Sequence, residues 1–196
     1  MRRNVGLGGT LLLTWGAIAC GNKGEQAANT PAAGTPAAAA PAAPMAMPAD
    51  WLKSDDATKT VTLTITAGKD ATNNNWNFNG YANGNTVITV PTGYTVVITF
   101  SNNDANMAHS IGVTQKPSGP FSATPTPTPA FAGGISTNPT SMTDATKKGA
   151  TETVKFTADR AGDYALACFV PGYAASGMWI GLNVIDGATA SAQTPM

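Results

Sequence analysis

Short runs in which apolar residues alternate with threonine, each closed by glycine, proline or asparagine, constrain this chain more than any other feature. Val61-Thr62-Leu63-Thr64-Ile65-Thr66 has a period of two, the mark of a half-buried strand. Tyr94-Thr95-Val96-Val97-Ile98-Thr99-Phe100 repeats the pattern most clearly. Trp76–Gly80 reads as a shorter strand and Thr86–Val90 as another, with turns at Asn83-Gly84-Asn85 and Pro91-Thr92-Gly93. His109–Thr114, Thr151–Thr157, Asp163–Cys168 and Met178–Ile185 complete a set of about eight short strands. Between Lys116 and Gly149, Pro117, Pro120, Pro125, Pro127, Pro129 and Pro139 exclude regular strand interiors, and a short helix is expected over Ser141–Lys147. Such a pattern predicts an all-β protein, an antiparallel sandwich with Greek-key connections. Nothing indicates a second folded domain or an internal repeat.

Charge excludes some classes of partner. The chain has 196 residues, a formal net charge of +0 and only 11% charged residues. No nucleic-acid footprint or polybasic membrane patch is expected from such a balance.

The N-terminus reads as a targeting segment. Arg2 and Arg3 precede a short apolar run from Val5 to Ile18, which ends in Ala17-Ile18-Ala19-Cys20-Gly21. This resembles a bacterial lipobox, in which the cysteine carries the lipid and becomes the first mature residue; Ala17 departs from the larger aliphatic side chain usual at its place. The other reading is a plain signal peptide cut nearby, with Cys20 incidental and the product secreted. Either way the chain is expected outside the cytoplasm, facing the periplasm or the cell exterior. From residue 21 to residue 50, Pro31, Pro36, Pro41, Pro44 and Pro48 punctuate alanine runs, which predicts a disordered, semi-extended linker. Met45 and Met47 fall in that linker and read as incidental. The folded domain is expected over residues 51–187 and a frayed tail over 188–196.

Candidate chemistry gathers on few residues. The chain has 1 histidine, His109, and 2 cysteines, Cys20 and Cys168, whose contexts argue against a disulfide between them. A mononuclear electron-transfer copper site needs two imidazoles, a thiolate and a more distant thioether. Cys168-Phe169-Val170-Pro171-Gly172-Tyr173-Ala174-Ala175-Ser176-Gly177-Met178 places a thiol and a thioether at the ends of one loop between two strands, with spacing Cys168-x4-Tyr173-x4-Met178. His109 lies upstream, after an Asn-rich turn. Taken singly, His109 reads as a hydrogen-bonded residue at a strand start, Cys168 as a small buried hydrophobe and Met178 as core. Taken together, their spacing points to a copper-type pocket, with Phe169, Val170 and Trp179 expected around it to exclude water. No acid–base pair or nucleophile constellation is present, so no catalytic residues and no enzymatic activity are expected.

The region from about Trp76 to Ile185 resembles the sulfocyanin family of cupredoxins. The resemblance rests on Asn77-Phe78-Asn79-Gly80, on Val97-Ile98-Thr99-Phe100-Ser101-Asn102, on His109-Ser110, and on Cys168-x-Val170-Pro171-Gly172-x-Ala174-x-Ser176-Gly177-Met178-Trp179. It implies a cupredoxin-like Greek-key sandwich and a blue-copper electron carrier outside the cytoplasmic membrane, linked to a partner protein of a respiratory chain. It also implies that His109, Cys168 and Met178 are copper ligands.

The departure from the family is Tyr173, which stands where the family has histidine. A phenol, with a reference pKa of about 10, ligates only if the metal displaces its proton. As a phenolate it would favour Cu(II) and lower the potential. As a plug it would leave His109, Cys168 and Met178, a soft set better suited to Cu(I). Three functions therefore stay open: an electron carrier with a modified site, a non-redox Cu(I)-handling protein, and a metal-free interaction module.

Overall fold

A computed structural model describes residues 50–193. Cys20 and the linker up to residue 49 lie outside the described residues. The described residues form nine strands: β1 (Leu52–Asp55), β2 (Thr60–Ala67), β3 (Val87–Pro91), β4 (Thr95–Asn102), β5 (Gly112–Gln115), β6 (Thr151–Thr157), β7 (Gly162–Ala167), β8 (Trp179–Ile185) and β9 (Ser191–Gln193). One sheet has the order β1-β2-β4-β6 and the other β5-β7-β8-β3-β9.

The period-two runs dictate the core. On β2, Val61, Leu63, Ile65 and Ala67 are buried, while the threonines between them lie at the outer face. On β4, Val96, Ile98 and Phe100 do the same. They meet Ile88 and Val90 of β3, Leu166 of β7 and Ile180, Leu182 and Val184 of β8 in one apolar cluster. The expected all-β sandwich is present, but it is mixed rather than antiparallel. β2 runs parallel to β4 and β3 runs parallel to β8. Alternation marks which face is buried and carries no information about the direction of a neighbour, so this was invisible in the sequence.

Three local expectations give way to hydrogen bonds with other parts of the chain. Trp76–Gly80 is no regular strand; only Phe78 makes isolated bridges, to Ala67 and Tyr81. Its neighbours replace a strand ladder with amides. The Asn79 side chain accepts from the Thr66 N–H at 2.8 Å and donates to the Thr64 carbonyl at 2.9 Å. Asn77, fully buried, donates to the carbonyls of Asp70 and Thr72 and accepts from the N–H groups of Lys69 and Gly80. Truncating it strands several buried backbone groups at once, each costly to leave unpaired. Asn77→Ala is expected to destabilise the metal-free protein by about 3 kcal/mol, read as a lower urea midpoint at unchanged slope.

The second concerns Ser141–Lys147, which forms turns and not a helix. The Ser141 hydroxyl accepts from the N–H groups of Thr143 and Asp144 as a helix cap would. The helix does not propagate because Thr146 exchanges backbone hydrogen bonds with His109, at 3.0 and 2.9 Å. The third is the tail: Ser191–Gln193 pairs antiparallel with β3 and is not frayed.

Candidate metal centre

The antiparallel pairing of β7 with β8 ends at Ala167 opposite Trp179. The next residues outward are Cys168 and Met178, and the Cys168 N–H donates to the Met178 carbonyl at 3.1 Å. Thiol and thioether thus come from two adjacent, mutually paired chain positions, both with 0% exposure. The loop between them is closed by its own backbone. Met178 N–H donates to Tyr173 O, Tyr173 N–H to Val170 O, and Gly177 N–H to Ala174 O, at 2.9–3.1 Å. Gly177 has a φ of 97°, and a Cβ there would lie 2.1 Å from the Asn83 side-chain oxygen, so this position requires glycine.

His109 reaches the same end of the molecule from the other direction. It precedes β5 as an isolated bridge to Thr146, and is not within a strand as its sequence context suggested. The Asn102 amide, at the end of β4, donates to the carbonyls of Met107 and Thr146 and pins this turn. Ser110, next in the chain, ties it to the thiol: its N–H lies 3.4 Å and its hydroxyl 3.5 Å from Cys168 Sγ. The same hydroxyl accepts from the Phe169 N–H at 2.8 Å. The His109 ring, 0% exposed, meets the Tyr173 ring edge-on at 5.5 Å between centroids. Tyr173, 2% exposed, stacks on Trp76 at 4.3 Å with an interplanar angle of 12°.

The four sequence candidates His109, Cys168, Met178 and Tyr173 are therefore brought together. The expected wall is corrected. Val170 joins the core cluster that holds Cys168, Tyr173 and Met178, but Phe169 and Trp179 pack in a separate cluster with Phe121 and Ile135. The aromatic ring that covers Tyr173 is Trp76. Three residues of this site escaped the sequence reading: Trp76, Ser110 and Asp104. Ser110 was signalled only by its place beside His109. Asp104, five residues before His109, sets its Oδ2 2.9 Å from His109 Nε2.

The electrostatics follow from burial. Burial pushes the Cys168 thiol up, against the pull of the Ser110 N–H and hydroxyl and the Val170 N–H. Burial likewise pushes His109 below its ordinary value despite the adjacent carboxylate. Burial raises the Asp104 carboxyl, yet the Asn106 N–H, the His109 ring and the Met107 N–H together hold it below the usual range. Tyr173 is raised by burial first, then by Cys168 and Asp104, so its hydroxyl keeps its proton unless a cation displaces it.

Two buried polar atoms of this group have no hydrogen-bond partner, His109 Nδ1 and Tyr173 Oη. Unpartnered buried polar atoms are uncommon and costly. An imidazole lone pair, a thiol and a thioether in one closed site fit a copper ion. Among the described residues no cluster of three or more His, Cys, Asp or Glu offers a competing site.

A two-sheet all-β body with a buried cysteine, methionine and histidine at one end of its strands is the architecture of a cupredoxin, and the family comparisons place the chain in that class. The model of the sulfocyanin (SoxE) domain matches residues 48–194. Sulfocyanin from Sulfolobus acidocaldarius is 33% identical over 141 residues, covering 67% of each chain. Among solved structures, rusticyanin, described as a copper protein, is similar at 26% identity and a TM-score of 0.43, over 69% of this chain and 88% of that one. Rusticyanin from Thiobacillus ferrooxidans is similar at 25% identity and a TM-score of 0.42, over 69% and 87%. The chain belongs to the sulfocyanin family, whose metal is copper.

Proposed function

We propose that this protein is an extracytoplasmic electron carrier that holds one copper ion through Cys168 Sγ, His109 Nδ1 and Met178 Sδ, with Tyr173 filling the remaining position. The observation that carries this reading is the pair of unpartnered buried atoms, His109 Nδ1 and Tyr173 Oη, beside a buried thiol. Copper in such a site supplies a one-electron couple. The protein's own part is to hold the soft donors still, to keep water off them, and to feed Ser110 hydrogen bonds to the sulfur. No catalytic role is assigned to any residue.

A second reading has specific support. One imidazole with a thiol and a thioether is a soft set that suits Cu(I), so a non-redox copper-handling protein uses the same residues. Metal analysis and a visible spectrum on the copper-loaded protein separate the readings. An electron carrier holds about one copper, is coloured, and bleaches reversibly with a reductant. A Cu(I) binder holds copper without colour. A protein that takes up no copper is an interaction module, and both metal readings fail.

The anchoring is proposed on the lipobox-like sequence. Residues 1–20 act as a signal segment, Cys20 carries the lipid, and residues 21–50 form the tether that lets the domain reach a redox partner of a respiratory chain at the membrane surface. Among the described residues no helix is long and apolar enough to cross a membrane. Cys20→Ala is expected to move most of the protein from the membrane fraction to the soluble extracytoplasmic fraction. Equal membrane retention of the variant rules out the lipid anchor.

A further inference from the structure

We propose that Asp104 is the positioning residue that makes His109 a metal ligand, by keeping the ring proton on Nε2 and leaving Nδ1 bare. The inference deepens the copper reading, but its main test needs no metal.

The Asp104 carboxylate is held on every side. Its side chain is 2% exposed. Its Oδ1 accepts from the N–H groups of Asn106 at 2.9 Å and Met107 at 3.3 Å, and its own N–H donates to Asn102 Oδ1 at 2.7 Å. Gly68, at a φ of +60°, lies so close that a Cβ there would sit 2.8 Å from the Asp104 Cβ. The glycine therefore lets its backbone pack directly against Asp104. Oδ2 then faces His109 Nε2 at 2.9 Å.

An ionised carboxylate only accepts, and a neutral imidazole has one N–H. The contact therefore places that N–H on Nε2, and Nδ1 presents a lone pair. Nδ1 is the buried atom that has no partner in the protein. A carboxylate behind an imidazole also raises its strength as a donor. This matters more here than in a site with two imidazoles, because the chain has 1 histidine.

The arrangement makes Asp104→Asn an unusually sharp test. Two backbone N–H groups claim one oxygen and His109 Nε2 claims the other, so three donors face two acceptors of one group. An amide has a single oxygen. Turned to the backbone, it keeps both turn hydrogen bonds and aims its NH2 at Nε2; turned the other way, it sets NH2 against two N–H groups. The first orientation costs less, and it drives the ring proton to Nδ1, where it blocks a metal.

The experiment is nitrogen-15 NMR of the imidazole in the full-length, metal-free protein, where a single histidine gives unambiguous signals. The wild type is expected to show one tautomer with N–H at Nε2. Asp104→Asn is expected to move the proton to Nδ1, and Asp104→Ala to populate both forms. Copper binding to Asp104→Asn is expected to weaken about 10- to 100-fold. A wild-type ring protonated at Nδ1, or a tautomer that neither variant alters, overturns the proposal. A wild type with the expected tautomer that takes up no copper keeps Asp104 in its positioning role and removes the electron-carrier reading instead.

Discussion

Tyr173→His is expected to give, or strongly sharpen, an intense visible absorption band in the copper-loaded protein. The position is already built for a ligand. It lies midway in a loop whose ends are the buried Cys168 and Met178, and its ring contacts His109 edge-on. An imidazole there completes a set of two nitrogens, a thiolate and a thioether, which binds copper in both oxidation states. Replacing a phenol that must lose a proton with a neutral donor removes a penalty from metal binding. Cu(II) affinity is expected to rise at least about tenfold, or about 1.4 kcal/mol. Losing the stack on Trp76 costs about 1 kcal/mol of metal-free stability. Absorption and copper titration on both proteins check this. A variant spectrum identical to that of the wild type would mean that residue 173 does not face the metal.

Cys168→Ala is expected to abolish colour and to erase the stabilisation that copper confers. Ligands that bind only the folded state stabilise it by mass action, about 4 kcal/mol when free ligand is a thousandfold above its dissociation constant. Wild-type protein should therefore show a large rise in Tm on copper addition. The variant should show none; its metal-free Tm is itself expected to be lower than that of the wild type, because a fully buried sulfur is lost and the buried Ser110 N–H loses its partner. A copper-dependent Tm shift that survives in Cys168→Ala would place the binding site elsewhere.

Much of this architecture was legible because it rests on local periodicity. β2 and β4 follow from alternate apolar residues, and the Cys168–Met178 loop follows from Pro171, Gly172 and Gly177 between two apolar runs. Three tertiary choices were not legible. Parallel pairing of β2 with β4 depends on how the intervening chain crosses the body. β9 is three small or polar residues that gain strand geometry only from β3. The failed helix at Ser141 has a proper cap but loses Thr146 to His109.

The site divides along the same line. Its candidate donors could be named from the sequence because soft side chains are rare and their spacing is tight. Its supporting groups were not, because Asp104 becomes a partner of His109 only through the Asn102 side chain and the close approach of Gly68. Trp76 covers Tyr173 across nearly a hundred residues, and Ser176 O accepts from Asn73 Nδ2 at 3.0 Å across a similar gap. No period or motif encodes such pairings.

The ties around residues 168–178 reach well beyond the loop itself. Gly172 N–H donates to Ala123 O at 2.7 Å, Asn83 N–H to Gly177 O at 2.7 Å, and Asn73 secures Ser176. The loop that carries the proposed donors is thus secured by main-chain and amide contacts to three other segments. On the copper reading, a loop fixed in this way limits how far its donors can shift when the ion changes charge, which favours rapid electron exchange.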